Sequence, residues 1–107
     1  MAEGISARAL QGQQMTFAVV ELAPGSAVAP HQHPHEQMGV VLRGSVVYTI
    51  GGESKDMRAG DTYLAPGGVS HAAAAGPEGA VIIDVFSPVR EDWARFTPQP
   101  ARPPQWP

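Results

Sequence analysis

Histidine is the residue whose spacing in this chain points most directly to chemistry. Three of the four histidines, His31, His33 and His35, fall within five positions, and Gln37 follows two positions later. In an extended segment every second side chain points the same way, so His31 and His33 face one side together. The fourth histidine, His71, lies about 40 residues further on. Imidazole is the commonest metal ligand in proteins, and two same-side imidazoles and a distant third can converge on one metal ion once the sheet closes. The alternative is that these are surface or core histidines.

The neighbours of this cluster leave alternatives open. Pro34 suits an extended chain but bends it, so the row of same-side residues need not continue to His35. His35 is therefore either an alternative ligand or a residue on the rim of the site. Glu36 is expected to be solvated or to lie behind the ligands.

A second candidate group lies in the apolar run Ala80–Ser87. Alternation places Ile82, Asp84 and Phe86 on one face of a strand. Aspartate is depleted in strands, and a carboxylate in apolar surroundings is costly unless it is paired. Asp84 is thus a rim-exposed acid, an acid paired with a buried arginine, or an acid/base group facing the metal cavity.

Two residues near Asp84 each have one functional and one structural interpretation. Phe86 is either an apolar wall for a bound ring or an ordinary core aromatic. Arg90 is either a bidentate clamp for a substrate carboxylate or a solvated surface arginine.

The elements that must position these residues are short strands. Turn signals at Pro24-Gly25, Arg43-Gly44, Gly51-Gly52, Ala59-Gly60, Pro66-Gly67-Gly68 and Gly76-Pro77 separate runs rich in β-branched and aromatic residues. The predicted strands are Thr16–Leu22, Gly39–Leu42, Ser45–Ile50, Asp61–Ala65 and Ala80–Ser87. Gly51-Gly52 predicts a hairpin turn before Glu53–Arg58. Many short strands favour a sandwich or barrel. The one short helix predicted has Ser87 as its cap and Pro88 first, and runs through Val89–Phe96.

Composition limits the remaining choices. A length of 107 residues predicts one domain, and 12 glycines and 11 prolines predict many turns. A net charge of −3 without a basic patch argues against a nucleic-acid partner. The absence of cysteine removes disulfides, thiolate nucleophiles and cysteine metal sites. No apolar run is long enough to span a membrane, and no secretory signal pattern begins the chain, so a cytoplasmic location is expected.

Two blocks of spacing carry a family resemblance. The first reads Gly25-x5-His31-x-His33-x3-Gln37-x6-Gly44, and the second reads Gly60-x5-Pro66-x-Gly68-x2-His71. They resemble the paired motifs of the cupin superfamily, although Gln37 stands where glutamate is usual and Ala75 where asparagine is usual. The resemblance implies an all-β, single-domain fold, the cupin double-stranded β-helix or jelly-roll barrel.

The same resemblance implies one divalent transition metal in the mouth of the barrel and no organic cofactor. Its ligands would be His31, His33, Gln37 and His71. Zn, Ni, Fe, Mn and Co all suit this nitrogen-rich set. The lack of a ligating carboxylate argues against an Fe(II) oxygenase with two histidines and one carboxylate.

A narrower resemblance covers roughly residues 16–93. The segments His31–Gln37 and Ile83–Asp92 look like those of the KdgF-type cupins, which linearise 4,5-unsaturated uronates in pectin and alginate breakdown. The resemblance implies that Asp84 is the acid/base residue and that Phe86 and Arg90 support the substrate, an anionic carboxylate. Ring opening and tautomerisation of that sugar need no redox step.

Other functions remain open at this stage. The chain could be another cupin isomerase, a dioxygenase acting on a small enolisable carboxylate, or a non-catalytic metal- or sugar-binding module. Small cupins commonly form homodimers by sheet augmentation, so a homodimer is expected. The predicted organisation is an N-terminal arm (1–15), a cupin barrel (16–93) and a proline-rich C-terminal tail (94–107). The tail is either disordered or a strap across a neighbouring subunit, anchored by Trp106.

Overall fold

The structure, a computed structural model, describes residues 4–89 and contains seven antiparallel strands in that range. They are β1 (Ile5–Gln11), β2 (Thr16–Leu22), β3 (Ala27–His31), β4 (Glu36–Ile50), β5 (Glu53–Arg58), β6 (Thr62–Ala65) and β7 (His71–Ser87). No helix in the described part of the chain is long and apolar enough to cross a membrane.

Two long strands, β4 and β7, pair with each other along most of their length and organise the other five. The first half of β4 and the second half of β7 carry β6, β2 and β1 and form sheet I, in the order β1-β2-β7-β4-β6. The second half of β4 and the first half of β7 carry β5 and β3 and form sheet II, in the order β3-β7-β4-β5. One continuous sheet thus folds over itself, which is the jelly-roll barrel that the family resemblance implies.

The fold-over occurs at a pair of glycines. The register between β4 and β7 shifts on both sides of Gly44, and Gly44 and Gly79 both have positive φ, at 78° and 75°. A β-carbon on Gly44 would collide with the carbonyl oxygen of Gly79. The two backbones approach this closely because neither residue carries a side chain.

The core fills the space between the two sheets. Alternation along β2 and the second half of β7 sends every second side chain inward, so Ala18 and Ile82 are buried while their neighbours are not. The buried apolar cluster draws on both sheets and consists of Ala18, Val20, Leu22, Val41, Val46, Tyr48, Met57, Ala73, Ala80, Ile82 and Phe86.

Several strand predictions are confirmed. Thr16–Leu22 is β2 with the predicted bounds, and Gly51-Gly52 forms the hairpin turn between β4 and β5, with φ of 59° and 89°. The predicted segments Gly39–Leu42 and Ser45–Ile50 belong to one strand, because the chain bends at Gly44 without leaving the ladder.

Other strands have weak local signals. Ile5–Gln11, in the arm that composition treats as weakly structured, pairs with β2 over seven residues. Likewise the alanine-rich start of β7 is strand because it lies between β3 and β4. Pairing and burial override intrinsic propensity in these segments. The start of the predicted helix is wrong, because Ser87 is the last residue of β7 and Pro88 and Val89 are not helical. The rest of the predicted helix, from residue 90, lies outside the described residues, as does the tail.

Substituting Gly44 tests the fold-over. We expect Gly44→Ala to lower the free energy of unfolding by more than the roughly 1–2 kcal/mol that a left-handed conformation costs an L-residue, because the new β-carbon also meets Gly79. Gly25→Ala is the matched control, since Gly25 has φ of 72° and no heavy atom lies within 4 Å of the position that its β-carbon would take. Denaturant unfolding measures both, and equal losses would contradict the close approach.

Candidate metal and acid–base site

The segment that carries the histidines is held against the loop between β6 and β7. His31 ends β3 and His71 begins β7, and the two are direct partners across the ladder. The Gly68 N–H donates to the His33 carbonyl oxygen at 2.8 Å. A side chain on Gly67 would collide with the backbone of Pro34. The glycines of this loop therefore allow His71 to approach the His31–His33 segment.

This arrangement brings three imidazoles together. The ring centroids of His31 and His71 are 4.3 Å apart, those of His33 and His71 are 4.8 Å apart, and those of His31 and His33 are 5.7 Å apart. One nitrogen from each ring lies within 4.8 Å of the other two. His71 is buried and the other two are half-buried, so the cluster opens to solvent on one side.

Backbone hydrogen bonds set the tautomer of all three rings. Nδ1 lies 2.9 Å from the Ala29 carbonyl oxygen in His31, 3.1 Å from that of His35 in His33, and 3.1 Å from that of Val69 in His71. A carbonyl oxygen only accepts, so each Nδ1 carries a proton, and in the neutral ring each Nε2 then presents a lone pair. Such an outer hydrogen bond is typical of metal-binding histidine.

Gln37 adds an oxygen to this group. Its Nε2 donates to the Tyr63 hydroxyl at 2.6 Å, and its Oε1 lies 3.2 Å from His33 Nε2. If the His33 ring is neutral and protonated at Nδ1, then His33 Nε2 and Gln37 Oε1 are both acceptors. Two acceptors at this distance repel each other unless a cation binds both. Two ligands of one ion at metal–ligand distances of about 2.1 Å lie roughly 3.0–3.4 Å apart. The cluster of three histidines therefore fits a single divalent metal ion, and the position of Gln37 is compatible with a fourth ligand.

His35 lies beside this cluster. Its ring is 5.2 Å from that of His33, and its Nε2 lies 3.2 Å from the Val89 carbonyl oxygen. Among the described residues, the group of converging ligand atoms consists of His31, His33 and His71. His35 thus packs against a predicted ligand and contacts the segment that follows β7. Glu36, on the opposite side of β4 from Gln37, is exposed.

Asp84 lies on the inner wall of sheet I. It is only 4% exposed, and the Tyr63 hydroxyl donates a short hydrogen bond to its Oδ1. The interpretation of Asp84 as a rim-exposed acid is therefore wrong, because alternation in β7 turns the side chain into the barrel. The described partner of its carboxylate is thus the phenol of Tyr63.

Gly39 makes room for this pair. It is the partner of both Asp84 and Tyr63 across the ladders, and a β-carbon at this position would collide with both side chains. A glycine in the interior of a strand often marks such a close approach. The Gln37 amide, the Tyr63 phenol and the Asp84 carboxylate thus form one continuous chain of hydrogen bonds beneath the histidines.

The two tyrosines of the chain stack inside the barrel. Tyr48 and Tyr63 have ring centroids 4.2 Å apart at an interplanar angle of 26°. Burial, followed by the nearby charge of Asp84, raises the pKa of both phenols well above their ordinary value near 10. Tyr63 therefore keeps its proton and serves as a hydrogen-bond donor to Asp84.

Phe86 is 1% exposed and belongs to the core, with its ring centroid 6.0 Å from that of His33 in an edge-on contact. It backs the histidine cluster from the inside of sheet I. Arg90, predicted as a carboxylate clamp, lies outside the described residues.

Sequence reasoning missed Tyr63, Tyr48 and Gly39. A usable signal exists for Tyr63, since alternation with the buried Ala65 in β6 places it on the inner face. Gly39 stands in the middle of an apolar run, where glycine is unfavourable without a structural reason. The contact between Tyr63 and Asp84 joins residues 21 positions apart, so it requires the tertiary fold.

Metal binding predicts a thermal shift. For chelator-treated protein, a divalent ion at about 100 times its Kd should stabilise the fold by about 2.7 kcal/mol, which raises Tm on the order of 10 °C. His71→Ala should lose this metal-induced shift, whereas His35→Ala, the neighbouring histidine outside the cluster, should keep it. Equal shifts in the two variants, measured with Zn²⁺, Ni²⁺ and Mn²⁺ in turn, would contradict the site.

The buried phenols predict an alkaline titration. Because the chain has two tyrosines and both have raised pKa values, the native protein should show no phenolate absorbance at pH 10. The protein in guanidinium should ionise near pH 10. The contribution of the buried phenols to the free energy of unfolding should be constant below pH 10 and decrease above it. The reason is that the tyrosines of the unfolded chain lose their protons at a lower pH than those of the folded chain. A native transition near pH 10 would show that the phenols are not buried.

Comparison with known proteins agrees with this architecture. Residues 18–86 match the family model described as a cupin domain. The chain is 39% identical to pectin degradation protein KdgF of Dickeya dadantii over 75 residues. This alignment covers 69% of this chain and 68% of that protein. It is also 36% identical over 67 residues to dimethylsulfoniopropionate lyase DddW of Ruegeria pomeroyi, covering 63% of this chain but 44% of that enzyme.

The solved structure of KdgF from Halomonas sp. gives a TM-score of 0.82 at 30% identity, over 87% of this chain and 86% of that chain. The family match spans all of β7 except its last residue and most of β2, so it includes the histidine cluster, Gln37, Tyr63 and Asp84. The chain belongs to the cupin family and is a cupin of the KdgF type.

Proposed function

We propose that this protein is a metal-dependent isomerase that opens the ring of 4,5-unsaturated uronate sugars and converts the resulting enol to a ketone. The observation that carries the proposal is the buried Asp84 carboxylate, joined through Tyr63 to Gln37, whose Oε1 faces His33. Similarity to KdgF of Dickeya dadantii supports pectin-derived sugars as the substrate class.

His31, His33 and His71 would hold the metal, with Gln37 as the fourth ligand. A divalent ion bound there supplies a Lewis acid that polarises substrate oxygens. All four side chains are neutral when they bind it, so no ligand charge offsets the cation. The site therefore favours an anionic substrate such as a uronate.

Asp84 is the proposed acid/base. The substrate is a cyclic hemiacetal with an enol ether beside its carboxylate. Opening removes the proton of the C1 hydroxyl, forms the C1 aldehyde and breaks the bond between C1 and the ring oxygen, which becomes the enolate oxygen at C5. Protonation at C4 then gives the C5 ketone. One carboxylate that takes the first proton and delivers one to C4 leaves atoms and electrons balanced.

Tyr63 is the proposed positioning residue. Its raised pKa makes it a fixed donor rather than a base, and its single proton goes to Asp84. Its hydroxyl oxygen then accepts from Gln37 Nε2, which leaves Gln37 Oε1 on the side of the histidines. The phenol thus aligns the amide ligand and the acid/base carboxylate together.

Phe86 and Arg90 complete the proposal. Phe86 would form the apolar wall behind His33, and Arg90 would bind the substrate carboxylate through two parallel hydrogen bonds. Both roles derive from the resemblance of Ile83–Asp92 to the KdgF-type cupins.

The proton-transfer role is tested with Asp84→Asn. Metal-loaded protein should remove the ultraviolet absorbance of the conjugated double bond in 4,5-unsaturated galacturonate. Asp84→Asn should lower kcat by about 10²–10⁴-fold, the usual contribution of a general acid/base. Asp56→Asn, on the exposed strand β5, is the matched control and should keep wild-type kcat.

Wild-type activity in Asp84→Asn would remove the acid/base assignment. If the metal-loaded wild type shows no turnover, the proposed substrate is wrong, but the proposed metal site of three histidines is unaffected.

The positioning role is tested with Tyr63→Phe, which preserves the stack on Tyr48 but removes the hydroxyl. Loss of a partner behind a metal ligand typically weakens metal affinity by about 10–100-fold. We expect that loss in a metal titration, together with a lower kcat. Tyr48→Phe should affect metal affinity less, because the hydroxyl bonded to Gln37 belongs to Tyr63. Unchanged metal affinity in Tyr63→Phe would contradict the assignment.

A second candidate function is a lyase or other proton-abstracting reaction on a different small carboxylate. Similarity to the lyase DddW favours it, since a buried carboxylate beside a metal cluster also suits proton abstraction next to a carboxylate. Turnover of small carboxylates other than uronates, without oxygen uptake, would support this second function. Oxygen uptake would indicate a dioxygenase, and binding without turnover would indicate a binding module.

A further inference from the structure

The side chain of His35 is joined to the chain that leaves β7. Its Nε2 lies 3.2 Å from the carbonyl oxygen of Val89, a contact between residues 54 positions apart in the sequence. Val89 is the last residue that the structure describes, and Arg90 follows it directly in the chain. The hydrogen bond from His35 therefore fixes the backbone immediately before Arg90.

The surroundings of the His35 ring determine its tautomer. The Val89 carbonyl oxygen only accepts a hydrogen bond, so the nitrogen that faces it, Nε2, carries the proton. The other nitrogen, Nδ1, is buried and has no hydrogen-bond partner among the described residues. A proton on Nδ1 would bury an unpaired donor, and in the neutral ring it would also set the Nε2 lone pair against an oxygen. Both are unfavourable, so Nε2–H is the stable form of His35.

This tautomer separates His35 from the three converging histidines. His31, His33 and His71 carry the proton on Nδ1, where backbone carbonyl oxygens accept it. In His35 the proton is on the opposite nitrogen, which is bonded to Val89. The His35 ring packs against the His33 ring, with centroids 5.2 Å apart and an interplanar angle of 66°. His35 thus borders the cluster as a donor to the backbone and not as a ligand.

The backbone around His35 contacts the cluster and the end of β7 at the same time. The His35 carbonyl oxygen accepts from His33 Nδ1 at 3.1 Å. The next residue, Glu36, is the ladder partner of Ser87, whose hydroxyl donates to the Gln14 carbonyl oxygen at 3.3 Å. His35 therefore connects a proposed metal ligand, through its backbone, to the chain that leaves β7, through its side chain.

A segment that leaves a strand must be held in place if one of its side chains is to bind substrate well. Fixing a backbone costs conformational entropy, and affinity falls when this ordering occurs only on binding. A hydrogen bond that orders Val89 in the free protein removes part of that loss. An arginine that binds a carboxylate through two parallel hydrogen bonds needs a defined geometry, so it benefits from a backbone that is ordered in advance.

We propose that His35 is a positioning residue for substrate binding. Its Nε2–H holds the backbone before Arg90 beside the histidine cluster, so that the Arg90 side chain binds the substrate carboxylate from an ordered segment. This role rests on the proposed function, in which the substrate is a uronate and Arg90 binds its carboxylate. The His35 side chain itself touches neither the metal nor the reacting atoms.

The tautomer of His35 is tested without substrate. In isotope-labelled protein saturated with diamagnetic Zn²⁺, long-range proton–nitrogen correlation by NMR distinguishes the protonated from the unprotonated nitrogen of each ring. We expect a protonated Nε2 and an unprotonated Nδ1 in His35, opposite to the other three histidines, because the hydrogen bond of a ring selects its tautomer. A protonated Nδ1 in His35 would overturn the proposal.

Two substitutions separate the donor from the ring. His35→Phe keeps a ring beside His33 but removes the donor, whereas His35→Gln keeps an N–H near the position of Nε2. Loss of one hydrogen bond between neutral groups changes an equilibrium by about two- to tenfold. His35→Phe should therefore raise KM for 4,5-unsaturated galacturonate by about that factor, with kcat and metal affinity unchanged. His35→Gln should restore KM toward the wild-type value.

A purely structural role for His35 would give a different result. It would lower kcat and metal affinity together with the stability of the fold, and His35→Gln would share the loss. That outcome, or equal KM values in the wild type and His35→Phe, would overturn the proposal.

Binding of galacturonate, which lacks the double bond, distinguishes failure of this role from failure of the proposed reaction. If the metal-loaded wild type binds galacturonate in calorimetry but converts no unsaturated uronate, the reaction alone is wrong. His35→Phe should then still raise Kd by about two- to tenfold, and His35→Gln should not. Equal Kd values would overturn the role of His35. A wild type that neither binds galacturonate nor converts the unsaturated sugar would overturn both proposals.

Discussion

The ladder between β4 and β7 is the interaction on which the rest of the structure depends. It joins strands of 15 and 17 residues, and every other strand except β1 hydrogen-bonds to one of these two. The ladder folds over where Gly44 meets Gly79. Because antiparallel partners lie side by side, the same ladder sets Gln37 beside Phe86 and Gly39 beside Asp84. The core and the candidate site are therefore produced by one pairing.

Within the barrel, the polar groups are buried as a connected set. Backbone carbonyl oxygens fix the Nδ1 side of three histidines, and Tyr63 connects Gln37 to Asp84. A buried polar group is costly unless it is hydrogen-bonded, and a connected network satisfies several groups at once. The result is a group of three converging imidazoles and a buried carboxylate that is hydrogen-bonded to Tyr63.

The strands of the two sheets differ in how polar their outward sides are. In β5 every residue except Met57 is exposed, whereas both sides of Ala80–Ser87 are apolar apart from Asp84 and the terminal Ser87. The inward side chains of that strand are buried, and they belong either to the core, as Ile82 does, or to the candidate site, as Asp84 does. Its outward side consists of the half-buried Val81, Ile83 and Val85.

The sequence by itself determined the fold class and the three histidines that converge in the barrel. Glycine and proline turns, β-branched runs and the spacing of His31, His33 and His71 are local features, and local features can be recognised along a linear chain. Only the tertiary structure decided that Ile5–Gln11 is a strand and that Tyr63 joins Asp84 to Gln37. It also decided that the His35 side chain contacts the carbonyl oxygen of Val89. These outcomes depend on register between distant segments, and a shift of one residue would turn each side chain to the opposite face.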